Sequence, residues 1–254
     1  MPFATVNDVR LFYELHGSAG EPLVLVHGFT GDRTDWRYQV TEFSSTYRVL
    51  VIDNRGHGRS EAPRGRSVYT VEHMADDVEQ LVDRVGFECY HLVGHSMGGA
   101  AAQEIALRSP EKLLSLTLQD TTDCAGDHED GTGTPPYVPP EGIDEAKQRI
   151  AWMSPDALAG AWSGWIEWRG TKDRAHQIRT PALVIYGDRD ASKIFDGSAR
   201  LAELIPNAEV QVILRAGHSP QLECPEAFNA ALRRHLEGAG KRRAHFRRES
   251  VSGR

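Results

Sequence analysis

Gly94-His95-Ser96-Met97-Gly98-Gly99 is the stretch on which the reading of this chain turns. A short apolar run over 91–93 leads into it, and a helical pattern leaves it near Met97 and stops before Pro110. A serine set between a buried strand and a helix, with glycine two positions to either side, has the G-x-S-x-G pattern of a nucleophile elbow. The turn is tight enough that side chains at 94 and 98 would collide, so both positions require glycine. Such a turn lifts the Ser96 hydroxyl off the sheet and leaves it at a helix N-terminus. There the helix dipole and unbonded amides favour developing negative charge.

On either side of this segment, short apolar runs alternate with helical patterns. The runs occupy 23–26, 49–52, 91–93, 113–118, 182–186 and 210–214. Continuous runs suit strands buried on both faces, which predicts an α/β fold with a mostly parallel sheet and helices on both faces. An opening hairpin is predicted from FATV, a turn at Asn7-Asp8 and VRLFYELHG. Val71, Met74, Ala75, Val78, Leu81, Val82 and Val85 recur at helical spacing, behind a cap at Thr70 and ahead of a stop at Gly86. A further helix is expected after Pro225, with Phe228, Leu232 and Leu236 facing inward.

The alternation breaks once. Residues 123–142 are rich in Gly, Pro, Asp and Glu and read as an exposed loop, and 143–177 turns helical before the sheet resumes at Thr180-Pro181. The expected organisation is a core of 1–120 and 179–238, an insertion over 121–178 after the sixth strand, and a tail over 239–254. The last fourteen residues hold six Lys/Arg against one Glu, and a disordered, solvated tail is expected. Asp123, Asp127, His128, Glu129 and Asp130 lack the spacing of a metal site, so no metal is expected there.

A chain of 254 residues suits one large α/β domain. Its formal net charge of −7 argues against nucleic acid as a partner. The N-terminus lacks the basic start and apolar run of a signal peptide, and no apolar run reaches the length of a membrane span. A cytoplasmic protein with no membrane partner is expected. Three cysteines without metal-type spacing argue against a disulfide framework. The oligomeric state is not legible.

Three further segments carry what acyl transfer needs. His27-Gly28-Phe29 follows the first buried run, and the amides of Phe29 and Met97 are the candidate oxyanion donors. Gly187-Asp188-Arg189-Asp190 follows a later strand, where a carboxylate can fix the tautomer of a catalytic histidine. Either aspartate can serve. Asp190 is preferred because it lies further past the strand end, where ligands of open parallel sheets gather, and Asp188 then takes a turn or cap role. In Ala216-Gly217-His218-Ser219-Pro220, His218 follows both candidate serine and candidate acid, ends a strand and sits in a Gly/Pro loop, which makes it the candidate base.

Together the HGF loop, Asp53-Asn54-Arg55-Gly56-His57-Gly58-Arg59-Ser60, GHSMGG, GDRD and AGHSP resemble the α/β-hydrolase superfamily, in its serine esterase, lactonase and haloperoxidase-like branches. The resemblance runs from about residue 9 to residue 238. It implies an α/β-hydrolase fold and cleavage of a small-molecule carboxylic ester or lactone through an acyl-enzyme, with no cofactor. It also implies that the insertion is a short helical lid. Trp152, Trp162, Trp165 and Trp168 fall inside it; the last three, spaced by three, would line one helical face. They either roof an apolar pocket or form the lid's own core. Asp53 and Arg55 read as scaffold. Ser96 disfavours dehalogenases and epoxide hydrolases, which carry aspartate as nucleophile. The same fold also hosts carbon–carbon bond hydrolases, perhydrolases, a menaquinone-pathway synthase that carries arginine where this chain has Ala100, and small-molecule receptors with slow or no turnover.

Overall fold

Asn7 and Asp8 both adopt left-handed backbone angles, φ 44° and 59°, which is what a type I′ hairpin turn requires. They join β1 (Phe3–Val6) to β2 (Val9–His16) in the antiparallel hairpin the sequence predicts. This is a computed structural model that describes residues 3–124, 143–206 and 208–252. Strand β2 pairs antiparallel with β4 (Arg48–Ile52), and from there the sheet is parallel. The remaining strands are β3 (Pro22–Val26), β5 (Tyr90–His95), β6 (Leu113–Gln119), β7 (Ala182–Gly187) and β8 (Glu209–Ile213). The order across the sheet is β1-β2-β4-β3-β5-β6-β7-β8.

Successive residues of a strand point to opposite faces, and both faces here are covered. Leu23, Leu25, Val49 and Val51 pack with Trp36 and Phe43, from the segment containing α1 (Arg37–Phe43), and with Phe228, Leu232 and Leu236 of α8 (Pro225–Ser252). Val24, Val26, Leu50 and Ile52 face the other way. They meet Met74, Val78 and Leu81 of α2 (Val71–Arg84) and Ala101 and Ile105 of α3 (Met97–Arg108). Helix α2 starts as predicted, with the Thr70 hydroxyl accepting from the His73 amide.

Between β6 and β7 lie α4 (Ile143–Trp152) and α5 (Pro155–Ile166). Helices α6 (Ser192–Leu204) and α7 (Pro220–Glu223) follow β7 and β8. Asp123, read from sequence as the start of an exposed loop, is instead fully buried, and Arg200 of α6 pairs with it at 2.7 Å. The rest of that loop, with Asp127, His128, Glu129 and Asp130, lies outside the described residues. Helix α8 continues into the basic segment, whose Lys, Arg, Ala and Glu residues are strong helix formers. No helix among the described residues is long and apolar enough to cross a membrane.

Candidate active site

Ser96 joins β5 to α3 with φ 53° and ψ −118°, a conformation that costs a non-glycine residue free energy and persists only where its surroundings hold it. Those surroundings are hydrogen bonds on both sides of the residue. The Ser96 amide donates to the Gln119 carbonyl of β6 at 2.9 Å, and its own carbonyl accepts from the Gly99 amide and the Thr121 hydroxyl, each at 2.8 Å. The elbow glycines are needed for reasons slightly different from the sequence expectation. A β-carbon at Gly94 would meet the Gly98 carbonyl at 2.4 Å, whereas one at Gly98 would strike the end of β3, the Val26 and His27 carbonyls, at 2.5 Å. Sequence spacing could reveal the first clash but not the second, which depends on how closely α3 descends onto β3.

The loop after β3 lies against this turn. A β-carbon at Gly28 would come within 2.9 Å of Ser96 Cβ, so the next residue, Phe29, begins beside the serine. His27 shapes the loop from beneath: its Nδ1–H donates to the Gly28 carbonyl at 2.7 Å, and its Nε2 accepts from the Asn54 amide at 3.0 Å. Asp53 accepts from the amides of Arg33 and Arg59, both at 2.8 Å, and Arg55 pairs with buried Asp77 at 2.6 Å. Asp53 and Arg55 therefore serve the scaffold. The amides of Phe29 and Met97 have no protein acceptor among the described residues.

His218, after β8, donates its Nδ1–H to Asp190 Oδ2 at 2.8 Å, and the second Asp190 oxygen accepts from the Ala191 amide at 2.7 Å. With Nδ1 protonated, the lone pair sits on Nε2. The Asp190 side chain is fully buried and that of His218 is 16% exposed. Asp188, the less preferred of the two aspartates, accepts from the Arg215 amide at 2.6 Å, as a turn residue does. Ser96 and His218 share no direct hydrogen bond among the described residues. His95, the residue before the serine, lies beside His218: its ring centre is 4.9 Å from that of His218, and its Nε2–H donates to the His218 carbonyl at 2.8 Å.

Sequence reasoning missed Asp120. It follows β6 directly, is fully buried, and accepts from the Gly187 amide at 2.9 Å. One donor atom from each of Asp120, Asp190 and His218 falls within 4.8 Å of the others. Because His218 and Asp190 already meet at hydrogen-bond distance, this is an acid–base cluster rather than a ligand set. The available signal was position, since Asp120 ends β6 as Ser96 ends β5, at the carboxyl edge of the sheet.

Of the four tryptophans, Trp162 packs on the loop after β3: its ring lies 5.4 Å from that of Phe29 and 5.5 Å from Trp165. Trp165 and Trp168 are buried, and Trp152 is 83% exposed. The single helical face expected for Trp162, Trp165 and Trp168 is not formed, because α5 ends at Ile166. Trp168 turns to donate its indole N–H to Glu104 of α3 at 2.8 Å. Arg149 of α4 pairs with Asp35, next to the Phe29 loop, and so fastens the inserted helices to it.

The family model for the alpha/beta hydrolase fold matches residues 21–152. A protein of Caulobacter sp. (strain K31), provisionally named carbamate hydrolase RutD, is 30% identical over 90% of this chain and 96% of its own length. The thermophilic esterase of Thermogutta terrifontis superposes with a TM-score of 0.83 at 31% identity, covering 93% of this chain and 98% of that one. Est816, described as an N-acyl homoserine lactone degrading enzyme, superposes with a TM-score of 0.82 at 29% identity, over 91% and 99% of the two chains.

Proposed function

The chain belongs to the alpha/beta hydrolase family, and from that premise we propose that it is a serine hydrolase cleaving a carboxylic ester or lactone through an acyl-enzyme. The observation that carries this reading is the 2.8 Å bond from His218 Nδ1 to Asp190, which puts the imidazole lone pair on Nε2, the atom a general base needs. In this scheme Ser96 Oγ attacks the carbonyl carbon as His218 Nε2 takes its proton. The amides of Phe29 and Met97 hold the oxyanion. His218 returns the proton to the departing alkoxide, leaving the acyl group on Ser96. Water then attacks the acyl-enzyme by the same proton route and releases the acid. Closure of the Ser96–His218 contact belongs to the substrate complex, since catalytic hydrogen bonds commonly tighten only there.

The substrate class is supported by the relatives, whose names include an esterase and a lactone-degrading enzyme. The helices between β6 and β7 are proposed as a short lid, with Trp162 and Phe29 walling the acyl pocket. In the test, Ser96→Ala loses p-nitrophenyl ester turnover by about 10³-fold or more with unchanged circular dichroism, and a fluorophosphonate labels the wild type but not the variant. A folded Ser96→Ala protein with undiminished turnover would sink the proposal.

A further inference from the structure

Asp120 is a second acid beside the proposed triad, and the acyl-transfer scheme does not use it. Its Oδ1 accepts from the Gly187 amide at 2.9 Å, while Oδ2 is buried without a partner of ordinary hydrogen-bond geometry among the described residues. Asp190, by contrast, has a donor on each oxygen, the Ala191 amide at 2.7 Å and His218 Nδ1–H at 2.8 Å. Two carboxyl groups buried in one small volume do not both ionise. Donors on both oxygens favour the charged form at Asp190, and among the described residues Asp120 lacks a donor of ordinary geometry on Oδ2. The backbone fixes Asp120 in place, with φ 41° and its amide donating to the Ile185 carbonyl at 3.0 Å, a left-handed conformation retained at a cost.

We propose that Asp120 is a positioning residue, a neutral carboxylic acid whose Oδ2–H donates to the Asp190 carboxylate and holds it in line with His218. Its catalytic consequence rests on the triad reading above; its protonation does not. Burial, and next the charge of Asp190, hold the Asp120 carboxyl well above the usual carboxylate range, against the opposing pull of the Gly187 amide and the Gln119 side chain. The other groups facing this pair do not cancel the effect. His95, beside His218, is kept neutral chiefly by burial. Asp188 and Arg189 are exposed, with Asp188 engaged by the Arg215 amide, and Asp123 is paired with Arg200.

Infrared spectroscopy of the wild-type protein at neutral pH reads the protonation directly. A protonated-carboxyl stretch is expected, and it should disappear in Asp120→Asn. The amide of that variant preserves the acceptor for Gly187 and offers an N–H to Asp190, so the acid limb of kcat/KM should stay within about 0.3 pH units of wild type. Asp120→Ala removes the donor and concentrates the Asp190 charge on His218, so its acid limb should move up by about one pH unit. Absence of the band in the wild type, or its survival in Asp120→Asn, would overturn the proposal. So would a downward move of the acid limb by about one unit in Asp120→Asn, the response expected if an anion had been removed. The infrared result stands apart from Ser96→Ala turnover, so failure of the hydrolase reading and failure of this one are distinguishable.

Discussion

His95 donates its Nε2–H to the carbonyl oxygen of His218 at 2.8 Å, tying the residue before the proposed nucleophile to the backbone of the proposed base. The bond fixes the distance between two loops that approach from different strands. His95→Ala is therefore expected to lower kcat on p-nitrophenyl acetate by about 10- to 100-fold with little change in KM, because small misplacement of a reacting group is costly. His95→Gln, which can still donate, should recover part of the loss. Wild-type kcat in the alanine variant would mean that His218 keeps its place without this bond.

Gly28 sets how closely the proposed oxyanion loop meets the proposed nucleophile. In Gly28→Ala the new methyl would lie 2.9 Å from Ser96 Cβ, so either the loop or the serine has to shift. A fall in kcat/KM of about 100-fold is expected, with a far smaller effect on thermal unfolding because the strain is local. Kinetics and a melting curve on the same preparation check this, and an unchanged kcat/KM would contradict it.

Acid should destabilise the fold through its buried neutral histidines. Burial first, and then His27, push His57 down to about 3, and burial also holds His95 well below the ordinary histidine value. Both are lower in the folded than in the unfolded chain, so the unfolded chain binds more protons in this window. Stability is then fully present above about pH 6.5 and is lost as pH falls toward 3, by up to about 1.4 kcal/mol per pH unit for each histidine. Urea unfolding at a series of pH values should show this slope, and His57→Gln should flatten it. An equally steep slope in that variant would rule His57 out as a contributor.

Trp162 touches Phe29 and is half exposed, which suits a pocket wall better than a core position. Trp162→Ala should raise KM for esters of long or aromatic acids by about 3- to 10-fold while leaving acetyl esters nearly unaffected. Steady-state kinetics across an acyl series measures this, and a uniform effect on all chain lengths would place Trp162 outside the pocket.

The local pattern carried a large part of the molecule. Asn7-Asp8, the apolar runs and the 71–85 periodicity depend on near-neighbour physics, and the hairpin, the sheet and α2 follow them. The elbow at Ser96 was legible because its glycines are demanded by a turn only a few residues long. The inserted helices were harder. Three tryptophans at helical spacing say nothing about where a helix stops, and it stops at Ile166, before Trp168 finds Glu104.

Residue order and residue type were enough to nominate Ser96, His218 and a pair of aspartates, since each nomination needs only a strand end and a chemical group. Position past the strand end was enough to prefer Asp190 to Asp188, but finding Asp120 required the folded chain. A hydrogen bond reaches about 3 Å, and Asp120 and Gly187, 67 positions apart, come within that range only because the parallel strands align their carboxyl ends. Burial and mutual repulsion, which decide which carboxyl keeps a proton, arise at that same edge and have no counterpart in the unfolded chain.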